Sequence, residues 1–198
     1  SQTACTAGTY QPSTGQTSCI HASAGHYVDT TAATSQTPCA AGTYNPNTGS
    51  TSSSACLDAD AGYYVASAGL SSQTACSVGT YQASTGQTSC TDASAGYYVG
   101  STAATSQTAC SAGTYNSNTA STSSSACIAT DAGYYSAAGA ASQTACSVGT
   151  YQASTGQSSC TDASAGYYVD STAATSQTAC SAGTYQASTG QALSLIHI

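Results

Sequence analysis

The motif Ser-Gln-Thr-(Ala/Pro)-Cys ends at Cys5, Cys39, Cys76, Cys110, Cys146 and Cys180, so that successive copies are offset by 34, 37, 34, 36 and 34 in sequence number. A second cysteine falls between each pair, at Cys19, Cys56, Cys90, Cys127 and Cys160. A period of this size means that one small unit is copied and stacked, each copy resting on its neighbours. The segments Cys76–Cys110 and Cys146–Cys180 differ only at Thr88/Ser158 and Gly100/Asp170, so the copies do the same structural job. The expected organisation is the end of a preceding repeat (1–4), repeat 1 (5–38), a long repeat 2 (39–75), repeat 3 (76–109) and a long repeat 4 (110–145). Repeat 5 (146–179), a partial repeat 6 (180–192) and a tail (193–198) follow. The tail, Leu193 to Ile198, matches nothing else in the chain. It reads as the in-frame translation of a sequencing adapter, the alternative being a genuine apolar C-terminal strand.

Each repeat divides again into two similar halves. From Cys146 the first half reads CSVGTYQASTGQSSCTD, and from Ala163 the second reads ASAGYYVDSTAATSQTA. Cys146 and Cys160 align with Ala163 and Gln177, so one half holds both partners of a bridge and the other neither. This makes Cys5–Cys19, Cys39–Cys56, Cys76–Cys90, Cys110–Cys127 and Cys146–Cys160 the disulfides, with Cys180 looking for a partner at position 194, where the tail has Ser194. The other register, beginning Cys19–Cys39, leaves Cys5 odd instead, and the spacing does not exclude it.

Local chemistry predicts a hairpin in each half. Gly-Thr-Tyr-Gln and Gln-Ser-Ser-Cys flank Ala-Ser-Thr-Gly, where Thr155-Gly156 suits a turn that needs positive φ. Gly149 allows a close backbone approach or a bulge. A bridge across such a loop is worth about 3 kcal/mol in the chain-entropy model. In the cysteine-free half, Tyr167-Tyr168-Val169 is expected to replace the cystine, and a ladder of tyrosines to supply most of the apolar burial between units. The long repeats carry insertions in the Ser-rich loops Ser50–Ser54 and Ser121–Ser125.

Composition sharpens the picture. Phe, Trp, Met, Lys and Arg are absent, and outside the tail the large aliphatics are six Val, two Leu and two Ile. No ordinary globular core can be built from these; fifteen Tyr and eleven Cys are left to hold the chain together. The fold class that follows is all-β, small and disulfide-rich, an elongated tandem-repeat rod of β-hairpin modules. With seven Asp and no cation, the chain cannot neutralise phosphates, which excludes nucleic acid and docking on an anionic membrane face. No apolar run approaches the roughly 20 residues that span a bilayer.

The cystine-bearing halves, Cys-Ser-Val-Gly-Thr-Tyr…Cys and Cys-Ala-Ala-Gly-Thr-Tyr…Cys, resemble ephrin-receptor-like and TNF-receptor-type cysteine-rich modules. In those modules a Cys-x-x-Gly-x-Tyr start pairs with a Cys about 14 residues on. They meet at Cys-x-x-Cys junctions, here Cys160-Thr-Asp-Ala163 and Gln177-Thr-Ala-Cys180, each with one Cys lost. The resemblance spans residues 1–191 and implies an elongated stack of small β modules outside the cell. It carries no ligand, because fold does not fix function.

Catalytic signatures are missing from the sequence. His21 and His26 are replaced by Asp92 and Tyr97 in a later copy, unlike a general base, and His197 lies in the tail. Asp58 and Asp60 near a unit junction could join a calcium site, the plainer reading being solvated Asp in a turn. The paired tyrosines read as packing between units rather than sugar platforms. No catalytic residue, cofactor or metal ligand is assigned.

Ser and Thr number 69, and no Asn-x-Ser/Thr sequon exists, so any glycan is O-linked. The candidate acceptors are Thr14, Ser50, Thr51, Ser52, Ser53, Ser54, Ser121, Thr122, Ser123, Ser124, Ser125 and Thr155. The expected function is a non-enzymatic extracellular structural protein, secreted or at the cell surface. It would form a fibre, sheath or adhesin stalk by self-assembly, as an O-glycoprotein whose partner is itself. The alternative is the stalk or ligand-binding ectodomain of a cell-surface receptor, and a third reading is ice or crystalline-surface binding.

Overall fold

The computed structural model describes residues 4–193 and 195–196; Ser1, Gln2, Thr3, Ser194, His197 and Ile198 lie outside the described residues, and with them the position expected to partner Cys180. Among the described residues the fold is all-β: eleven two-stranded antiparallel hairpins follow one another along the chain, joined by turns and two short 3-10 turns. They group into two compact units, Ser1–Asp92 with Ser101–Ser106, and Ala93–Gly100 with Gln107–Ile198.

In the first unit, hairpin 1 pairs Thr9–Tyr10 with Ile20–His21, and hairpin 2 pairs His26–Tyr27 with Thr37–Pro38. Hairpins 3, 4 and 5 pair Thr43–Tyr44 with Leu57–Asp58, Tyr63–Tyr64 with Thr74–Ala75, and Thr80–Tyr81 with Thr91–Asp92. In the second unit, hairpins 6 to 8 pair Tyr97–Tyr98 with Thr108–Ala109, Thr114–Tyr115 with Ile128–Ala129, and Tyr134–Tyr135 with Thr144–Ala145. Hairpins 9 to 11 pair Thr150–Tyr151 with Thr161–Asp162, Tyr167–Tyr168 with Thr178–Ala179, and Thr184–Tyr185 with Leu195–Ile196. Part of the tail thus takes the returning-strand position of hairpin 11.

Every hairpin starts the same way. In hairpin 9 the Thr150 amide donates to the Ser147 carbonyl, closing a four-residue turn whose third residue, Gly149, has φ 85°. A type II turn demands positive φ at that position, which explains the fixed glycine before each Thr-Tyr or Tyr-Tyr strand. The returning strand is not where the sequence places it. Thr150 faces Asp162 and Tyr151 faces Thr161, so the strand follows Cys160 instead of preceding it, and the loop runs over residues 152–160. The reason is that the loop's backbone is engaged by the neighbouring hairpins. Gln152 donates to the Ala174 carbonyl, and the Gly156 amide, at φ 71°, donates to the Thr130 carbonyl.

These bonds belong to a ladder that repeats at each junction inside a unit. Between hairpins 1 and 2, the Gly8 amide donates to Val28, Gln11 to Ala33, Ala22 to Gly8 and Ala32 to Cys5, at 2.7–3.0 Å. Between hairpins 9 and 10 the same four positions recur as Gly149 to Val169, Gln152 to Ala174, Ala163 to Gly149 and Ala173 to Cys146. Buried backbone groups must be paired, and here the pairing also fixes the stacking register.

The core under this ladder is built from two positions per module. The first residue of the module is buried at Cys5, Ala22, Cys39, Ala59, Cys76, Ala93, Cys110, Thr130, Cys146 and Ala163. The residue after the first strand is buried at Val28, Asn45, Val65, Val99, Asn116, Ser136, Val169 and Gln186. No tyrosine is among the fully buried side chains; the rings lie half-buried over this thin core, and Tyr167 and Tyr185 are exposed. The expected tyrosine ladder is therefore a cover over a core of small residues, because backbones this close leave no room for a ring between them.

Candidate functional site

The chemistry-bearing residues sit in the closures that hold each module shut and in the loops those closures present. The structure joins Cys5 to Cys19, Cys39 to Cys56, Cys76 to Cys90, Cys110 to Cys127 and Cys146 to Cys160, with Cα atoms 5.6–5.8 Å apart. These are the pairs of the first register. In each, the leading cysteine belongs to the core and its partner is half-buried or, at Cys19, exposed. Cys180 is a free, half-buried thiol.

The cysteine-free halves are closed by glutamine. Gln36 accepts a hydrogen bond from the Ser23 amide, Gln73 from Asp60, Gln107 from Ser94, Gln143 from Asp131 and Gln177 from Ser164, all at 2.7–2.8 Å. Each glutamine occupies the alignment position of the second cysteine, and each partner amide follows the position of the first. The amide clamp therefore ties together nearly the same two points as the cystine. This corrects the expectation that Tyr167-Tyr168-Val169 replaces the bridge. The signal was present in every Ser-Gln-Thr-(Ala/Pro)-Cys motif, but a glutamine in a polar chain has no chemical signature to mark it as a closure.

A second amide closes the short cystine loops. Gln82 donates to the Ser89 carbonyl and accepts from the Ser84 amide, at 2.9 and 3.1 Å, and Gln152 does the same with Ser159 and Ser154. In the long modules a fully buried asparagine stands there. Asn45 donates to the His26 carbonyl and the Ser50 hydroxyl, and accepts from the Asn47 amide. Asn116 repeats this with Tyr97, Ser121 and Asn118. A buried amide is tolerated only when it is hydrogen-bonded, and both are.

The Ser-rich loops carry short 3-10 turns at Ser53–Ala55 and Ser124–Ala126. Of the candidate glycan acceptors, Thr14, Thr51, Ser53, Ser54, Thr122, Ser123, Ser124, Ser125 and Thr155 are exposed, and Ser52 and Ser121 half-buried. Ser50 is withdrawn from the set: it is 8% exposed and its hydroxyl holds the Asn45 amide, so a sugar there would open the core. Ser121 has the matching bond to Asn116.

The acidic and imidazole groups are dispersed. The Asp60 carboxylate takes a 2.6 Å bond from Gln73, completing that clamp, and Asp131 takes one from Gln143. Asp58 lies against the turn at Gly86, His21 against Gly49 and His26 against Gly69. Among the described residues no three His, Cys, Asp or Glu side chains gather as a metal site. A cavity of about 670 Å³ in the first unit is lined by Ala4, Cys5, residues 11–19 and residues 32–34, all without an ionisable acid or base.

Fold and closures define a class: tandem, cysteine-rich β-hairpin modules held by disulfides. The chain matches the family model for tyrosine-protein kinase ephrin type A/B receptor-like modules over residues 3–39, 62–110 and 133–180, about two thirds of its length, and belongs to that family. Comparison with curated proteins finds no match. The internal segments left out of the family match, 40–61 and 111–132, are those of the two long modules with the buried asparagine and the Ser-rich loop.

Proposed function

We propose that this chain is a non-enzymatic, extracellular structural segment. In this reading it is a stack of modules that self-assembles into a fibre, sheath or adhesin stalk, O-glycosylated on its exposed Ser/Thr loops. The observation that carries the reading is the ladder of four backbone bonds repeated at junction after junction. Ten cysteines and the clamping glutamines and asparagines are engaged in closing modules, so most of the chain's chemistry goes into holding its shape. Five cystines suit an oxidising compartment outside the cell. Alike modules present alike surfaces, and a surface sparse in charge, with no Lys guarding its strand edges, favours association with further copies.

The family match favours a second reading, in which the same stack is the stalk or ligand-binding part of a receptor ectodomain. Electron microscopy of the protein as secreted by its native cells separates the two. Ordered fibres with an axial repeat of one or two modules support the first reading. Separate particles rooted in a membrane support the second and contradict self-assembly.

A further inference from the structure

Nearly all of the length variation of the repeats falls in one kind of segment, the cystine loops. Counted between leading cysteines, the repeats are offset by 34, 37, 34, 36 and 34, but the stretches from the second cysteine of one bridge to the first cysteine of the next do not vary in the same way. Cys19 and Cys39, Cys56 and Cys76, Cys90 and Cys110, and Cys160 and Cys180 are each offset by 20, and Cys127 and Cys146 by 19. The three-residue insertions lie inside the cystine loops, whose bridged cysteines are separated by 17 in the long modules and 14 in the short ones. A loop closed by a covalent bond cannot lengthen under tension, whereas a half closed by the hydrogen bonds of a glutamine can.

We infer that the fold is an extensible device of uniform pitch. The glutamine-closed halves are the elements that yield under load, and the cystine loops are locked length in which insertions have no mechanical effect. The inference rests on the mechanical reading proposed above. The stack opens piecewise because, inside a unit, each hairpin is bonded to the next hairpin and lies against the one after it, with no bond of longer range among the described residues to make the opening concerted. At roughly 3.5 Å per extended residue, the stretch between two bridges, which holds one yielding half and the residues joining it to the cystines, releases about 70 Å of contour, against about 120–130 Å for a whole repeat. Evenly matched elements share a load without one long segment taking the whole extension.

Single-molecule pulling of the whole oxidised chain between terminal handles tests this. The expected record is one class of length increments of about 70 Å before the folded height of a module is subtracted, with no separate class for the long repeats. Two insertion variants keep the test independent of reduction, which could unfold the chain. Gly-Ser-Gly placed between Ser53 and Ser54, inside a cystine loop, is expected to leave every increment unchanged. The same insert between Ser67 and Ala68, in a glutamine-closed half, is expected to lengthen one increment by about 10 Å. Increments of whole-repeat length with the bridges intact, rupture of the chain in a single event, or equal effects of the two inserts would overturn the inference. None of these results bears on whether fibres form, so failure here is distinguishable from failure of the functional reading.

Discussion

Glycine at the start of most hairpins meets two demands that no other residue meets together. At Gly149 the backbone has φ 85°, and an added Cβ would stand 2.3 Å from the Gly190 carbonyl oxygen. At Gly166 the backbone is the same, φ 84°, but nothing lies within 4 Å. The pair separates conformational strain from close approach. Gly166→Ala is expected to cost the left-handed penalty alone, about 1–2 kcal/mol, and Gly149→Ala about 1–3 kcal/mol more, read by urea unfolding. Equal losses would remove the close approach from the account. At the second turn of the module the opposite substitution is favourable. Ala103 and Ala173 hold φ 54° and 57° where sister modules have glycine, so Ala103→Gly is expected to stabilise by about 0.5–1 kcal/mol. Gly149 and Gly156 were legible in the sequence because a turn requirement falls on a residue type with few other uses. The glutamines were not, since their role appears only when the partner amide is in view.

At the scale of the element, two chemically different closures do one job. Replacing Cys76 and Cys90 together with Ser is expected to cost about 3 kcal/mol, the loop-closure value for that span. Gln107→Ala removes one exposed hydrogen bond and is expected to cost about 1 kcal/mol, with faster hydrogen exchange at the Ser94 amide. No change in that exchange would mean the clamp is incidental. The internal alignment of half on half made the cystine-bearing halves readable, because both partners of a bridge fall within one copy. It did not locate the returning strands. Reading Thr155-Gly156 as the apex of a tight hairpin assumes that a loop bonds to itself, whereas here Gly156 bonds to Thr130 of the preceding hairpin. The core was misplaced for a related reason. Tyrosine was the only large residue in abundance, yet Ala, Cys, Val and Asn are what fit where backbones stack this closely.

For the whole molecule, the closures predict a thiol inventory. Alkylation of the denatured, unreduced protein is expected to label one cysteine, Cys180, and labelling after reduction to reach all eleven. A peptide linking Cys19 to Cys39 would instead shift every module boundary. Glycopeptide mapping is expected to find sugars on exposed loop residues such as Ser53 and Ser124 and none on Ser50. Disulfide content and repeat period were enough to place the chain among cysteine-rich tandem modules, since both are properties of spacing. What the stack attaches to is a property of surface groups whose chemistry is nearly uniform along the chain, and so left little for the sequence to reveal.

Within each unit, cystine-closed and glutamine-closed halves are equally parts of a backbone-bonded ladder. Residue-resolved hydrogen exchange on the oxidised protein distinguishes this from modules held by their cystines alone. The ladder predicts slow exchange at Gly25, Val28, Cys39 and Gly49, amides that tie a glutamine-closed half to its neighbour, matching Gly42, Asn45, Ala59 and Gly69 in the next junction. Protection confined to residues inside the cystine loops, with free exchange at Gly25 and Val28, would contradict it.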